Sequence, residues 1–129
     1  MAENLAPLHV LIVEDELLIR WSITESLGHA RYTVVEAPDG ASAIRAVTNT
    51  ITPFDVILLD YRLPDSADLS LLAMLRRLAP RTAVVLMTAF GTPEVTQGAL
   101  GLGVCRILSK PFDMQDIPAV VLAARRPGP

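Results

Sequence analysis

Five short apolar runs alternate along the chain with segments that carry apolar residues at helical spacing. The runs cover residues 9–13, 32–36, 55–60, 83–87 and 104–108. The first helical segment has Ile19, Ile23 and Leu27 on one face and ends near Gly28. The first, third and fourth runs are almost entirely apolar, which is typical of strands that are covered on both faces. This alternation predicts an α/β fold, a doubly wound five-stranded parallel sheet with helices on both faces.

Local chemistry indicates where some of the helices begin. Asp39 and Gly40 open the second helix, and Thr92 followed by Pro93 suits an N-cap and a first helical turn. The last helix is predicted over about residues 116–125. Pro118 is harmless there in the first turn but would kink the helix further in.

Composition narrows the class of protein. The 129 residues favour one domain, and 51% hydrophobic against 19% charged residues indicates a folded chain. With eleven basic against fourteen acidic residues, the chain lacks the excess of positive charge that is typical of nucleic-acid-binding proteins. The sequence shows no signal peptide and no run near the roughly 20 apolar residues of a membrane span, so a cytoplasmic protein without membrane contact is expected.

The cysteine and histidine residues suggest no redox or metal chemistry. Cys105 has no partner for an internal disulfide, which favours a reducing compartment, and its apolar neighbours predict a small core residue. Neither His9 nor His29 has metal-ligand spacing at a strand end, and both are interpreted as structural or surface residues.

Polar residues follow four of the five predicted strands. Glu14, Asp15 and Glu16 follow the first strand. Asp60 follows the third, Thr88 the fourth and Lys110 the fifth. Ligands of open α/β sheets bind beyond the carboxyl ends of the strands, so these groups are expected to meet at one edge. Each alone has a simpler explanation, since a carboxylate after a strand often caps the next helix.

Together these groups suit phosphoryl chemistry. Neighbouring carboxylates repel one another unless a cation joins them, and Mg²⁺ takes one or two carboxylates with other oxygen ligands. Lys110 adds a fixed positive charge and Thr88 a hydrogen-bond donor, which suits a phosphoryl group. The sequence has no glycine-rich nucleotide loop. Attack by Asp60 on a phosphoryl donor would give an acyl phosphate.

Four motifs resemble the receiver domains of two-component response regulators. They are VLIVEDE, VILLDYRLPDS, VVLMTAFG and ILSKPF, and the resemblance runs from about Leu8 to Ala123. It implies the flavodoxin-like receiver fold with strand order 2-1-3-4-5. The receiver domain would cover residues 8–125, after an N-terminal extension at 1–7 and before a linker stub or chain end at 126–129.

The resemblance also implies site residues and partners. Asp60 would be the phosphoacceptor, while Thr88 and Lys110 would each hold a phosphoryl oxygen. The implied Mg²⁺ ligands are Asp15, Glu14 acting mainly through water, Asp60 and the backbone carbonyl of Arg62. The peptide bond before Pro111 is expected to be cis. The implied partners are a sensor histidine kinase or histidine phosphotransfer protein, with an output domain, a second receiver or a second copy of the chain as further candidates.

The sequence departs from receivers at several positions. Ile107 stands where they usually carry a switch aromatic, and Asp68 stands where many have glycine. Arg62 and Phe90 occupy positions that influence phosphoryl lifetime in the family, with plain surface exposure as the alternative. Trp21 is expected to be a partly exposed residue of the first helix.

Three functions are compatible with these residues. The first is a Mg²⁺-dependent phosphorylation switch that controls an output and is not an enzyme. The second, motivated by Ile107, is a receiver-like interaction module that works without phosphorylation. The third is a phosphatase or phosphotransferase that works through an aspartyl intermediate, and such enzymes usually need an aspartate where this chain has Arg62.

Overall fold

Strands and helices alternate through the whole of the described chain. The computed structural model describes residues 7–28, 31–89 and 91–125. The elements in order are β1 (Leu8–Val13), α1 (Leu17–Leu27), β2 (Tyr32–Ala37), α2 (Gly40–Asn49), β3 (Val56–Asp60), α3 (Ser70–Leu78), β4 (Ala83–Thr88), α4 (Pro93–Gly101), β5 (Arg106–Ser109) and α5 (Ile117–Ala124). A single 3₁₀ turn, Met114–Asp116, leads into α5.

The five strands form one parallel sheet in the order β2-β1-β3-β4-β5. The predicted doubly wound fold and its strand order are therefore confirmed. The register pairs Asp60 with Met87 and Thr88 with Ser109, so the last residues of β3, β4 and β5 lie side by side. The chain reverses its winding direction after β2, and the ends of β1 and β3 flank that point.

Side chains of the central strands point alternately into two core layers. Val10 and Ile12 of β1 pack with α1 and α5, while Leu11 and Val13 pack with α2, α3 and α4. Every residue of β3 and β4 is buried. The apolar runs are continuous because these strands are covered on both faces. The two layers hold the ends of β1, β3 and β4 in fixed positions.

Helices α2 and α4 begin where local capping chemistry predicts. The Asp39 side chain accepts a hydrogen bond of 2.8 Å from the backbone N–H of Ser42 at the start of α2. Thr92 accepts one of 3.2 Å from the N–H of Val95 at the start of α4. Pro118 lies in the first turn of α5, where it removes no helical hydrogen bond.

The prediction for Cys105 was wrong, because its side chain is exposed. Val104 takes the buried position next to it. The fifth strand begins at Arg106 rather than at Val104, and Leu108 is its one buried residue. This strand lies at the edge of the sheet, so an apolar composition does not ensure burial there. The Cys105 thiol lies 3.3 Å from the carbonyl oxygen of Val84.

His9 has a structural role, as predicted. Its ring stacks on Phe54 with centroids 4.2 Å apart, and its Nδ1 lies 3.1 Å from the carbonyl oxygen of Thr52. The expectation for His29 lies outside the described residues. Trp21 is 55% exposed on α1, in agreement with the prediction. Among the described residues, no helix is long and apolar enough to cross a membrane.

Candidate functional site

The carboxyl ends of β1, β3, β4 and β5 border one cleft of about 340 Å³. All six residues predicted for the site line it, namely Glu14, Asp15, Asp60, Arg62, Thr88 and Lys110. Glu16, Ile19, Tyr61 and Ala89 complete its walls. The structure therefore brings together residues that lie up to 96 positions apart in the sequence.

Asp60 is the last residue of β3 and is only 5% exposed. It does not cap the following helix, because α3 begins ten residues later at Ser70. One carboxylate oxygen, Oδ1, accepts a hydrogen bond of 3.3 Å from the backbone N–H of Arg62. The other, Oδ2, lies 3.2 Å from Nζ of Lys110. The strand thus presents a buried carboxylate to the cleft.

Lys110 joins the two buried carboxylates. Its Nζ donates to Oε1 of Glu14 at 2.8 Å as well as contacting Asp60. Its backbone N–H donates to the carbonyl oxygen of Thr88 at 2.8 Å, which ties the end of β5 to the end of β4. The Lys110–Pro111 peptide bond is cis, as the resemblance implied. Burial lowers the pKa of Lys110, but the hydrogen bond to Glu14 and the two negative charges outweigh it and raise the pKa overall. The side chain is therefore a fixed cation.

Glu14 is held through every polar atom it has. Its N–H donates to the carbonyl oxygen of Ala37 at 3.0 Å, and its own carbonyl oxygen accepts from Nη1 of Arg20 at 2.8 Å. Its Oε2 accepts from the backbone N–H of Glu16 at 3.1 Å, while Oε1 faces Lys110. The residue is 1% exposed. Glu14 therefore has one geometry, fixed from four directions.

The acidic groups are close enough to share a cation. One carboxylate oxygen each from Glu14, Asp15 and Asp60 lies within 4.8 Å of the others. Burial, then the charge of Glu14, raises the pKa of Asp60 to about 6, against the opposing effect of Lys110 and the Arg62 amide. Three carboxylates against one ammonium leave an excess of negative charge. Hard oxygen donors with uncompensated charge fit a divalent ion such as Mg²⁺.

The remaining predicted residues border the cleft in different ways. Thr88 ends β4, is 3% exposed and lines the cleft. Asp15 and Arg62 are exposed at the rim. The expectation for Phe90 lies outside the described residues.

Two departures from the receiver pattern have clear structural settings. The Asp68 carboxylate accepts from the backbone N–H of Ser70 at 2.9 Å and from its hydroxyl at 2.6 Å, at the start of α3. No described residue other than glycine has a positive φ, so Asp68 does not need the freedom of glycine. Ile107 pairs with Leu86 across β4 and β5 and packs, half-buried, against the core layer under α2, α3 and α4.

Sequence reasoning missed two residues beside the site. Arg20 holds the Glu14 carbonyl, and Asp65 lies in the loop that follows Asp60. The Asp65 carboxylate accepts from the N–H groups of Gly40 at 2.8 Å and Ala41 at 3.0 Å, at the start of α2. Arg20 lies in none of the four motifs, and Asp65 lies in VILLDYRLPDS, which suggested no role for it. Only the packing of α1 on β2 and of the loop on α2 reveals their contacts.

Comparison with known protein families agrees with the resemblance of the four motifs to receiver domains. The sequence model of the response regulator receiver domain matches residues 10–122. The transcriptional regulatory protein PdtaR of Mycobacterium tuberculosis is 35% identical over 97% of this chain and 60% of its own length. The DNA-binding transcriptional regulator NtrC of Escherichia coli is 33% identical over 87% of this chain and 24% of its own length. The chain thus spans three fifths or less of these two relatives.

Two further similarities extend over most of both chains. Sporulation initiation phosphotransferase F of Bacillus subtilis is 30% identical over 84% of this chain and 86% of its own length. The crystal structure of a CheY-like receiver domain protein from Methanospirillum hungatei superposes with a TM-score of 0.84 at 24% identity. That superposition covers 92% of this chain and 93% of the other.

Proposed function

Because this chain belongs to the response regulator receiver domain family, we propose that it accepts a phosphoryl group on Asp60. The donor would be a histidine kinase or a histidine phosphotransfer protein. The observation that carries the proposal is the buried Asp60 carboxylate, which faces a cleft between Lys110 and two further carboxylates. Burial, and then the charge of Glu14, raises the pKa of this carboxyl to about 6, and a side chain that served stability alone would gain nothing from such a setting.

The side chains have separate roles in the proposed reaction. A carboxylate oxygen of Asp60 forms a bond to phosphorus, and the bond between phosphorus and the donor breaks with its electron pair leaving on the donor. Lys110 then pairs with an oxygen of the new phosphoryl group. The Thr88 hydroxyl donates a hydrogen bond to another oxygen as the phosphoryl group settles against β4.

The acidic cluster would hold Mg²⁺ in this reaction. Its ligands would be Asp15, Asp60, the backbone carbonyl of Arg62 and, mainly through water, Glu14. When bound, the ion neutralises negative charge on the phosphoryl oxygens. The buried Glu14 also keeps Lys110 directed at Asp60 through their 2.8 Å contact.

The biological role would be that of a signalling switch rather than an enzyme. Phosphorylation adds charge beside Lys110 and Thr88 and favours one of two conformations. A complete shift needs a difference of about 5.5 kcal/mol between the two states, and an output domain or second subunit can supply part of it. PdtaR and NtrC are named as transcriptional regulators, so an output within a longer chain is one arrangement. A reducing, cytoplasmic setting agrees with the unpaired Cys105 thiol.

Ile107 favours a second candidate, a receiver-like interaction module that works without phosphate. The side chain is half-buried against the core, where it has no ring to turn between two positions. A conformational signal would then need another route or would be absent.

The test is intact-mass analysis after incubation with acetyl phosphate, with and without Mg²⁺. We expect a single phosphoryl adduct on the native chain that requires Mg²⁺. Asp60→Asn removes the acceptor, so it should give no adduct. Asp116→Asn is the matched control, because this exposed carboxylate near α5 lies outside the cleft.

Absence of the adduct in folded native protein, with acetyl phosphate and again with a histidine kinase as donor, would contradict the proposal. The phosphate-independent module would then be the better description. An adduct that persists in Asp60→Asn would place the acceptor elsewhere and would contradict the assignment of Asp60.

A further inference from the structure

We propose that Arg20 is a positioning residue. It fixes the peptide unit between Glu14 and Asp15 and so orients the metal ligands in the loop between β1 and α1. This inference rests on the proposed function, because it concerns the Mg²⁺ site of that function. Arg20 lies on α1, outside the cleft, and does not line it.

The guanidinium group of Arg20 links three elements. Nη1 donates to the carbonyl oxygen of Glu14 at 2.8 Å, and Nε donates to Oε1 of Glu36 on β2 at 2.9 Å. Glu36 is itself fixed, because its Oε2 accepts from the Thr24 hydroxyl at 3.0 Å. The Arg20 side chain is only 14% exposed. Such a two-point contact from a mostly covered guanidinium differs from a mobile surface ion pair.

The planar peptide unit transmits the effect of the Arg20 contact from the Glu14 carbonyl to Asp15. A peptide unit is planar, so a fixed Glu14 carbonyl also fixes the N–H of Asp15 and the direction in which its Cα follows. The Glu14 side chain is held separately by Glu16 and Lys110. The exposed Asp15 carboxylate depends instead on the backbone that carries it. Groups that orient metal ligands in this way commonly contribute tenfold or more to metal affinity.

Positioning and simple charge predict opposite results. Arg20 is a cation six residues from Glu14, so by charge alone its removal should strengthen the binding of Mg²⁺. If Arg20 acts by positioning, its removal should weaken Mg²⁺ binding despite the lost repulsion. The sign of the change therefore separates the two roles.

The experiment is titration calorimetry of Mg²⁺ into the full chain. We expect Arg20→Gln to weaken Mg²⁺ binding by about tenfold. Arg20→Lys keeps the charge and can reach only one of the two acceptors, so its affinity should fall between those of the native chain and Arg20→Gln. Arg45→Gln is the matched control. It makes the same charge change on α2, where Arg45 contacts the Ser42 hydroxyl, and should leave the affinity unchanged.

A kinetic measurement separates positioning from damage to the fold. The rate of phosphoryl adduct formation is followed as a function of Mg²⁺ concentration. We expect Arg20→Gln to raise the Mg²⁺ concentration needed for half the maximal rate about tenfold and to keep most of the maximal rate. A general structural defect would lower the maximal rate instead.

Native or tighter Mg²⁺ binding by Arg20→Gln would overturn the inference. If Arg20→Gln does not fold, Arg20→Lys decides in the same way, and native affinity in that variant would overturn it. Native protein that takes up neither Mg²⁺ nor phosphate would defeat the proposed function together with this inference. If the native protein binds Mg²⁺ and takes up phosphate, and the Arg20→Gln variant binds Mg²⁺ with the same affinity, only the inference about Arg20 fails.

Discussion

Among the residues that the structure describes, Glu14 and Asp60 are the two buried carboxylates, and their surroundings differ. Every polar atom of Glu14 has a partner, including the 2.8 Å contact with Lys110. Asp60 shares the same lysine at 3.2 Å and gains one backbone donor. Burial of an incompletely compensated carboxylate costs free energy, which is why the pKa of Asp60 rises to about 6. Asp60 is therefore expected to lower the stability of the metal-free protein.

Asp60→Asn should stabilise the metal-free protein at neutral pH. The pKa of Asp60 is about 6 in the folded protein, against an ordinary value of 3.8. The folded state therefore binds the Asp60 proton more tightly than the unfolded chain does. The stability gained in this way is fully present below about pH 4 and is lost as the pH rises through 6. We expect the free energy of unfolding of the variant to exceed that of the native chain by about 1–3 kcal/mol at pH 8. The difference should shrink towards pH 4. Urea unfolding across this pH range, with Asp116→Asn as control, measures it. A native chain as stable as Asp60→Asn at pH 8 would contradict the burial argument.

At the scale of elements, the loop after β3 is fastened to the start of α2. The Asp65 carboxylate accepts hydrogen bonds from the backbone N–H groups of Gly40 and Ala41, and the Asp39 carboxylate accepts one from the N–H of Ser42. The first turn of a helix leaves its N–H groups without helical partners, so these two carboxylates satisfy three of them. The loop that carries Arg62 is thereby held against α2.

Asp65→Ala should destabilise the protein by about 1–2 kcal/mol, because two N–H groups at the start of α2 lose their acceptors. Asp65→Asn keeps one acceptor oxygen and should cost less. Urea unfolding at pH 7 compares the two variants with the native chain. Equal stability of all three would show that water replaces the carboxylate without cost.

The elements differ in how far the sequence could predict them. The starts of α2 and α4 depend on Asp39 and Thr92, which act within three residues, and both were predicted. The exposure of Cys105 was not, because it depends on β5 being an edge strand. The contact of Arg20 with Glu36 and that of Asp65 with Gly40 join residues 16 and 25 positions apart, so only the assembled fold brings these pairs together.

At the scale of the whole molecule, the sheet order accounts for the predictable part of the site. Parallel strands that alternate with helices must all end at the same edge, so polar residues after four strands had to converge. β3 and β4 are buried throughout, and the two core layers hold the ends of the central strands in place. The cleft is thus built mainly on the ends of rigid elements.

Mg²⁺ should stabilise the whole molecule, because the unfolded chain does not keep the three carboxylates together. At a concentration 100 times the dissociation constant, we expect the free energy of unfolding to rise by about 2.7 kcal/mol. Thermal or urea unfolding with Mg²⁺, against NaCl of equal ionic strength, measures the gain. The gain should be smaller in Asp60→Asn, and an identical gain in that variant would argue against Asp60 as a ligand.

The exposed indole of Trp21 has a practical consequence. The chain contains one tryptophan, and it lies beside Arg20 with 55% of its surface open to water. All tryptophan fluorescence of the protein therefore originates at a single point on α1, the helix that follows the loop carrying Glu14 and Asp15. The native protein contains its own optical label, whose emission can be assigned to that helix without chemical modification.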